Sequence, residues 1–368
     1  MSAAARPVRV QTASGSYEVR IGAGHLSRLP GVLRRLKLGR TCVVLSNRMI
    51  LKRHGPGLLA LLRRGKFQVE VLETGTTELS KSFHEAERLL GRLADLDAPG
   101  NEPFLLLAGG GVIGDLGGMV AGLYRRGIPY VQLPTTLLAQ VDSSIGGKTA
   151  VDLPQGKNLV GLFNPPRGVF IELNFLDTVS DRQFRSGLAE VIKCGVIRDA
   201  ELFSILEKTS FKQLRRDKRI LGRIIARAVR VKADVVSADE RESRGLRTLL
   251  NFGHTFGHAL EAATRYEDYT HGEAVALGMQ VATDLSLRMG LLKAADAGRI
   301  RRLPGRFGLP ESVRRLNLKA VFKAMKHDKK WVRGSNRWVL PAGIGRAVVR
   351  EGVRDALVLQ SMHVILEG

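Results

Sequence analysis

The chain has 368 residues, of which 44% are hydrophobic, so it can bury a sizeable core in two domains. It has neither the apolar run of a signal peptide nor a stretch of about 18 successive apolar residues that could span a bilayer. We therefore predict a cytoplasmic protein without membrane association. The only cysteines, Cys42 and Cys194, exclude a disulfide framework and a thiolate zinc site, so any metal must take nitrogen and oxygen ligands. The formal net charge of +23 would suit a nucleic-acid binder, but the basic residues are scattered rather than arranged in a stripe. We therefore expect no specific nucleic-acid partner, and a positive field that attracts an anionic substrate.

The first half of the chain alternates short β-rich runs with amphipathic stretches such as SKSFHEAERLLGRLADL. This pattern predicts an α/β domain with a mainly parallel sheet over residues 1–180. The predicted strands are VRVQTA, YEVRIG, TCVVLSN, FQVEVLE, PFLLLA, IPYVQLP and GVFIEL.

The second half, residues 181–368, is predicted to be an all-α domain because the strand signal nearly vanishes there. Long patterns with a 3.6-residue period follow instead, among them LGRIIARAVRVKADVVSADE and HGEAVALGMQVATDLSLRMG. The segment RWVLPAGIGRAVVREGV is predicted to add a small hairpin before the last helix.

A glycine-rich loop follows the predicted strand PFLLLA and precedes a predicted helix. Gly109, Gly111 and Gly114 fit the spacing G-x-G-x-x-G, which lets a backbone approach a pyrophosphate whose charge meets the free amides of a helix N-terminus. The acidic residue expected about 20 positions later in a standard Rossmann site is absent. The loop therefore indicates either a nucleotide site of another kind or a tight packing turn.

The segment PTTLLAQVDSSIGGKTAVDLPQGKNLVG is similar to a phosphate-binding P-loop but carries Asp142 where that motif requires glycine. We interpret it as a loop that presents Asp142, Lys148, Lys157 and Asn158 among small residues. Such groups suit an anionic, hydroxylated ligand. The alternative is an exposed turn with incidental lysines.

Three of the eight histidines, His254, His258 and His271, lie within residues 251–273, which indicates a divalent metal site. His254 and His258 are four residues apart, so on a helix they share one face, and this spacing predicts both as ligands. Glu190 is either an ion-pair partner of Lys193 or the carboxylate that completes a His, His, Glu set with an open fourth position. The residues alone leave open the roles of Lys232, Glu242, Arg247 and Asn251.

Together, these segments resemble the 3-dehydroquinate synthase family over roughly residues 10–350. The resemblance implies a homodimer with an N-terminal NAD-binding α/β domain, a C-terminal helical domain that binds metal and substrate, and an active site in the cleft between them. The segments that carry it, in the family's order, are GGGVIGDLGG, YRRG, QLPTTLLAQVDSSIGGKTAVD, GKNLVG, SGLAEVIK, KADVV, ADERE, LLNFGHTFGHALE and HGEAVALGM.

The implied activity is conversion of 3-deoxy-D-arabino-heptulosonate 7-phosphate to 3-dehydroquinate and phosphate, a lyase reaction of the shikimate pathway. It combines a transient NAD-dependent oxidation, phosphate elimination, re-reduction and an intramolecular aldol closure, so NAD is not consumed. The implied cofactors are NAD and Zn²⁺, or Co²⁺ in its place.

The resemblance also implies a role for individual residues. It makes Glu190, His254 and His271 the metal ligands, and it keeps His258 off the metal, near the substrate phosphate. The implied phosphate set is Lys148, Asn158, Arg247, His258 and Lys329 or Lys330, with Arg126 reaching the partner subunit's site; the set around the hydroxyls and carboxylate is Asp142, Lys193, Lys232, Glu242 and Asn251. The implied NAD set is Gly110, Gly111, Asp115, Thr135, Thr136, Asp142 and Lys157, with Glu78 and Lys81 at the ribose.

Three alternative functions compete with this activity. One is a sugar-phosphate cyclase of the 2-deoxy-scyllo-inosose synthase type. Another is a glycerol or iron-dependent alcohol dehydrogenase, which shares such a scaffold but does not need the anion loops around Lys148 and Asn158. The last is a nucleic-acid-binding protein on a degenerate enzyme scaffold, against which the intact predicted metal and phosphate sets argue.

Overall fold

A seven-stranded sheet dominates the first of two structural units, Met1–Val179 and Ser180–Gly368, in the computed structural model of this chain. The structure describes residues 6–96, 102–313, 316–326 and 336–366. The strands of the first unit are β1 (Val8–Thr12), β2 (Gly15–Gly22), β3 (Thr41–Ser46), β4 (Gln68–Glu73), β5 (Pro103–Gly109), β6 (Tyr130–Pro134), β7 (Lys148–Leu153), β8 (Gly156–Phe163) and β9 (Gly168–Glu172).

The main sheet has the order β1-β2-β9-β6-β5-β3-β4, and only β1 and β2 pair antiparallel within it. The predicted α/β class with a mainly parallel sheet is therefore confirmed, and all seven predicted strands lie in this sheet. Strands β3 and β5 are buried along their whole length, which explains why they read as continuous apolar runs in the sequence.

The helices of this unit cover both faces of the sheet. On one face, the leucines of the first two helices pack with β3 and β5 residues such as Val44 and Leu106. On the other face, the remaining two helices pack against residues such as Val43 and Leu105. The helices are α1 (Leu29–Leu36), α2 (Arg48–Arg64), α3 (Phe83–Asp95) and α4 (Gly111–Leu123).

The segment interpreted as a loop around Lys148 and Asn158 folds differently from that prediction. After a π-helical turn, Ala139–Ser143, the chain forms the separate antiparallel hairpin β7–β8. Lys148 is the first residue of β7, and Lys157 and Asn158 lie in β8. The hairpin forms because the turn residues Pro154 and Gln155 are flanked by strands whose apolar positions, such as Val151 and Val160, pair with each other.

The second unit is helical apart from one hairpin, and both features were predicted. The hairpin consists of β10 (Arg337–Gly343) and β11 (Arg346–Glu351). No helix in the described ranges has both the length and the apolar character needed to cross a bilayer. The helices are α5 (Asp181–Ile197), α6 (Ala200–Glu207), α7 (Phe211–Arg216), α8 (Lys218–Ala238), α9 (His254–Ala263), α10 (His271–Arg288), α11 (Ala294–Arg306), α12 (Leu318–Lys326) and α13 (Asp355–Met362).

Candidate active site

Glu190 lies in the middle of α5, in a run of residues that are all buried, and its side chain is 1% exposed. Lys193, one turn later, contacts Oε2 of Glu190 through its ammonium group and is also almost fully buried. A buried carboxylate is costly without compensation, so this position needs nearby positive charge. Lys193 supplies part of it in the structure.

Two histidines from different helices face the other oxygen of Glu190. Nε2 of His254 lies 3.5 Å from Oε1, and Nε2 of His271 lies 3.4 Å from the same atom. Both histidines begin a helix. Gly253, in a left-handed conformation with φ of 81°, precedes His254, whereas a capping box of Thr270 and Glu273 fixes the first turn after His271. The two helix starts thus place both rings beside the same oxygen of Glu190.

The geometry of these three side chains fits a bound divalent cation. Their ligand atoms all lie within 4.8 Å of one another, and Oε1 of Glu190 is buried without a hydrogen bond among the described residues. Nδ1 of His254 lies 3.1 Å from the carbonyl oxygen of Phe252, which leaves the Nε2 lone pair directed at the cluster if Nδ1 carries the proton. Two nitrogen ligands, one carboxylate and an open position are typical of catalytic zinc sites.

The protonation of the cluster follows from burial and charge. Burial raises the pKa of Glu190, but Lys193 and His271 outweigh it and lower that pKa to about 2. Burial lowers the pKa of His271, whereas Glu190 and Glu261 raise it more, to about 10. A metal ion must displace the proton of His271, so metal binding at this site releases a proton.

The close approach of α10 to α5 depends on Gly272, the residue after His271. A Cβ atom at this position would lie 2.0 Å from the carbonyl oxygen of Ser186, and the Gly272 amide donates to Oγ of Ser186 at 3.0 Å. No side chain fits there without separating the two helices. Gly272 therefore determines the distance between His271 and Glu190.

We expect Gly272→Ala to weaken Zn²⁺ binding about tenfold or more, because ligands must be held within about 0.5 Å of the productive geometry. Isothermal titration calorimetry on the apoprotein measures the change. Gly298→Ala on α11 is the control, since its Cβ would meet only the flexible end of Arg302. Equal zinc affinity in the two variants would contradict this account of Gly272.

The other predicted residues of the second unit are largely buried. Lys232 on α8 and Arg247 are 7% and 5% exposed, and the Arg247 amide donates to Oδ2 of Asp239 at 3.1 Å. The Asn251 side-chain amide donates to Oε1 of Glu242 at 3.5 Å, so these two predicted residues lie together. Lys329 and Lys330 lie outside the described residues.

Spacing alone predicted both His254 and His258 as metal ligands, and the structure divides them between two groups of candidate ligands. His258 shares a face of α9 with His254, but the group that surrounds Glu190 contains His254 and His271. The ligand atoms of His258 lie with those of Glu261 and His271 in a second group, also within 4.8 Å of one another. The physical reason is that two residues four apart share a helix face but lie one turn apart along the helix axis, so their side chains reach different neighbours.

Glu261 is a residue that the sequence reasoning missed. It is 7% exposed on α9, and its Oε2 lies 3.4 Å from Nδ1 of His271. Its spacing of three residues from His258 carried the signal, because a carboxylate on the histidine face of a helix is the usual partner of a metal-binding imidazole.

In the first unit, the predicted nucleotide residues lie at the carboxyl ends of neighbouring strands. Strand β5 runs into α4 through Gly110 and Gly111, and β6 is followed by Thr135 and Thr136. The two loops touch, since the Thr135 amide donates to the Gly109 carbonyl at 2.9 Å. The start of α4 therefore lies next to the loop that carries these two threonines, an arrangement suited to phosphate oxygens.

A second cluster in this unit surrounds Lys81, which is 3% exposed. Its ammonium group lies 2.5 Å from Oδ2 of Asp115, contacts the side-chain oxygen of Asn158 and lies 3.9 Å from Glu78. Lys157 also lies 3.9 Å from Glu78. Burial lowers the pKa of Lys81, but Asp115 and Glu78 raise it above its ordinary value.

This cluster joins residues that were predicted for different ligands. Asn158, predicted for the substrate phosphate, contacts Lys81, which was predicted for NAD. Asp142 is half-buried in the π-helical turn, and Lys148 is exposed. Arg126 is exposed in a left-handed conformation with φ of 64°, just after α4.

Two family models match consecutive parts of this chain. The family model for the 3-dehydroquinate synthase N-terminal part matches residues 71–186, and that for its C-terminal part matches residues 187–331. The 3-dehydroquinate synthase of Pelotomaculum thermopropionicum is 44% identical over 354 residues, which cover 96% of this chain and 95% of that protein.

Two solved structures share the fold. The 2-epi-5-epi-valiolone synthase of Streptomyces hygroscopicus subsp. jinggangensis 5008, with NAD⁺ and Zn²⁺ bound, has a TM-score of 0.86 and 27% identity and covers 99% of each chain. A 2-deoxy-scyllo-inosose synthase, complexed with carbaglucose-6-phosphate, NAD⁺ and Co²⁺, has a TM-score of 0.86 and covers 98% of this chain and 100% of its own. Its identity is only 25%, so the sequence does not favour this alternative. By two family models and a nearly full-length relative at 44% identity, the chain belongs to the 3-dehydroquinate synthase family.

Proposed function

We propose that the protein converts 3-deoxy-D-arabino-heptulosonate 7-phosphate to 3-dehydroquinate and inorganic phosphate. The observation that carries this proposal is the convergence of Glu190, His254 and His271 beside the buried Lys193, in a chain that is 44% identical to a 3-dehydroquinate synthase. The reaction is a phosphate elimination within a closed cycle of oxidation and re-reduction.

The proposed metal is Zn²⁺, held by Glu190, His254 and His271, with Co²⁺ as a substitute. Two imidazole nitrogens and one carboxylate oxygen, all within 4.8 Å of one another, suit both ions. When bound, the metal supplies a Lewis acid that polarises a substrate oxygen, and NAD supplies reversible hydride transfer.

The proposed NAD site uses the loops after β5 and β6 and the Lys81 cluster. Gly110 and Gly111 leave room for the pyrophosphate at the start of α4. Lys81 holds the carboxylate of Asp115 and the side chain of Asn158 in place, so the hydrogen-bonding groups of this surface are fixed before a ligand arrives. The proposed set is Glu78, Lys81, Gly110, Gly111, Asp115, Thr135, Thr136, Asp142 and Lys157.

We expect Lys81→Met to weaken NAD⁺ binding about 10- to 100-fold, because charge-assisted hydrogen bonds of about 1.5–3 kcal/mol would be lost. Zinc affinity should not change. Titration calorimetry with each ligand tests both statements, and Lys52→Met, at an exposed position of α2, is the control. An unchanged NAD⁺ affinity would remove Lys81 from the nucleotide set.

The proposed substrate carries a phosphate and a carboxylate, which suits the buried cations of the second unit. Lys193, Lys232 and Arg247 are each at most 7% exposed, and buried charges of this kind are compensated by anions. The proposed phosphate set is Lys148, Asn158, Arg247, His258 and Lys329 or Lys330; the proposed set for the hydroxyls and carboxylate is Asp142, Lys193, Lys232, Glu242 and Asn251.

In this proposal the side chains mainly bind, orient and neutralise charge. Lys193 contacts Glu190 and so stands next to the metal ligands, where it can donate a hydrogen bond to a substrate hydroxyl. Asn251 and Glu242, already hydrogen-bonded to each other, offer one donor and one acceptor to a second hydroxyl. The substrate's own phosphate is proposed to remove the proton at C6.

The family membership also supports a homodimer, in which Arg126 reaches the partner's phosphate site. Leu159 and Phe163 are exposed on one face of β8, and Leu123 is exposed near Arg126. Such apolar exposure is typical of surfaces that another chain covers. Light scattering measures the mass of the assembly in solution directly.

The reaction is proposed to take place in the cytoplasm.

The decisive experiment incubates the purified protein with the heptulosonate phosphate, NAD⁺ and Zn²⁺ and measures phosphate and carbocycle together. We expect equal amounts of phosphate and 3-dehydroquinate without net NADH, and no turnover by Glu190→Gln. Phosphate release from glucose 6-phosphate, but not from the heptulosonate, would instead indicate an inosose synthase. Steady NADH accumulation would indicate a dehydrogenase.

A further inference from the structure

A buried carboxylate lies between two functional histidines of the second unit. His254, His258 and Glu261 occupy positions i, i+4 and i+7 of α9 and therefore share one face. Oε2 of Glu261 lies 3.4 Å from Nδ1 of His271, and its ligand atoms lie within 4.8 Å of those of His258 and His271. Glu261 thus faces both a proposed metal ligand and a histidine proposed to contact phosphate.

A metal-binding imidazole needs a fixed tautomer. The ring binds the metal through one nitrogen while the other carries a proton, and the acceptor of that proton also fixes the ring's rotation. His254 has the carbonyl oxygen of Phe252 as this acceptor. For His271 the corresponding atom opposite Nδ1 is a carboxylate oxygen of Glu261.

We propose that Glu261 is a positioning residue that holds His271 with Nε2 toward the metal and, through the same carboxylate, orients His258. The inference rests on the proposed function, in which His271 binds zinc and His258 contacts the substrate phosphate. It makes Glu261 the common anchor of the metal site and the phosphate site. Neither site is then independent of the other.

The test measures zinc affinity of the apoprotein in competition with a chromophoric chelator. Outer hydrogen-bond partners of metal ligands contribute about 10- to 100-fold to affinity, so we expect about a tenfold loss for Glu261→Gln, which keeps an acceptor, and about a hundredfold loss for Glu261→Ala. The visible spectrum of the Co²⁺-loaded variants should also change, because the ligand geometry of His271 changes.

Asp284→Asn is the matched control, since Asp284 is another buried carboxylate of α10, thirteen residues after His271. It pairs with Arg288 and Arg301 and has no part in the histidine cluster. Its loss should lower the melting temperature and leave the zinc affinity and the Co²⁺ spectrum unchanged. A general packing role for Glu261 would instead make Glu261→Gln behave like this control.

The link to His258 is tested with inorganic phosphate on the zinc-loaded protein. Glu261→Ala and His258→Ala should each weaken phosphate binding. The double variant should bind phosphate no more weakly than His258→Ala, because both changes remove the same contact, that of a correctly oriented His258 with phosphate. Unchanged phosphate affinity in Glu261→Ala, or additive losses in the double variant, would overturn the shared-anchor role.

The outcomes separate this inference from the proposed function. If the wild-type protein does not bind zinc, the proposed metal site fails whatever Glu261 does. If the wild-type protein binds zinc and Glu261→Ala binds it equally well, only the inference about Glu261 fails. Should Glu261→Ala not fold, the isosteric Glu261→Gln still gives the affinity and the spectrum.

Discussion

Replacing His271 with alanine is expected to weaken zinc binding about a thousandfold and to abolish turnover, while the protein stays folded. Structural zinc sites bind the ion with about 10–16 kcal/mol in total, so the loss of one of the three protein ligands here should remove several kcal/mol of binding free energy. The fold should survive because Glu190 keeps Lys193 as its ion-pair partner. Competition with a chelator gives the affinity, and circular dichroism reports the fold.

His363→Ala is the control for this variant. His363 is an exposed histidine of the same unit, and its ring contacts only a local carbonyl oxygen, that of Leu359, in the described hydrogen bonds. Its replacement should leave zinc affinity and turnover at the wild-type level. Full activity of the wild-type protein after dialysis against a chelator, or wild-type zinc affinity of His271→Ala, would refute the metal role.

The sheet of the first unit was predictable because local patterns determine it. Strands β3 and β5 are buried on both faces and therefore appear as uninterrupted apolar runs, and α3 shows its helical period directly. The hairpin β7–β8 was not predicted. Its second strand alternates only weakly and carries Lys157 and Asn158 at positions that a loop would also explain.

The candidate site was predictable as a set of residues but not as a geometry. The spacing of His254 and His258 placed both on one helix face, yet which of them meets Glu190 depends on where α5 and α10 lie. That placement is tertiary: it rests on the contact between Gly272 and Ser186, which no local pattern reveals. The resemblance to a family gave the ligand set, and the contact of Glu261 with His271 became visible only when α9 and α10 were placed together.

Lys193→Met is expected to destabilise the metal-free protein by about 3–5 kcal/mol at neutral pH, because it leaves Glu190 buried without its closest positive charge. The pH dependence has a definite sign. The ordinary pKa of a glutamate is 4.5 and that of Glu190 is about 2, so the stabilisation is complete above pH 4.5 and is lost as pH falls through 2. The stability difference between wild type and variant should therefore be largest near pH 7 and shrink on acidification.

Zinc should reverse much of this loss. A divalent ion beside Glu190 replaces the missing charge, so zinc should stabilise the Lys193→Met protein more than it stabilises the wild type. The affinity of the variant for zinc should therefore be higher than that of the wild type. Turnover should still drop, because Lys193 is proposed to contact the substrate. Urea unfolding at pH 7 and at pH 3, and at pH 7 with zinc, measures these effects, with the exposed Lys208→Met as control. A metal-free variant as stable as the wild type, or one that binds zinc more weakly, would show that Lys193 does not carry the charge balance of Glu190.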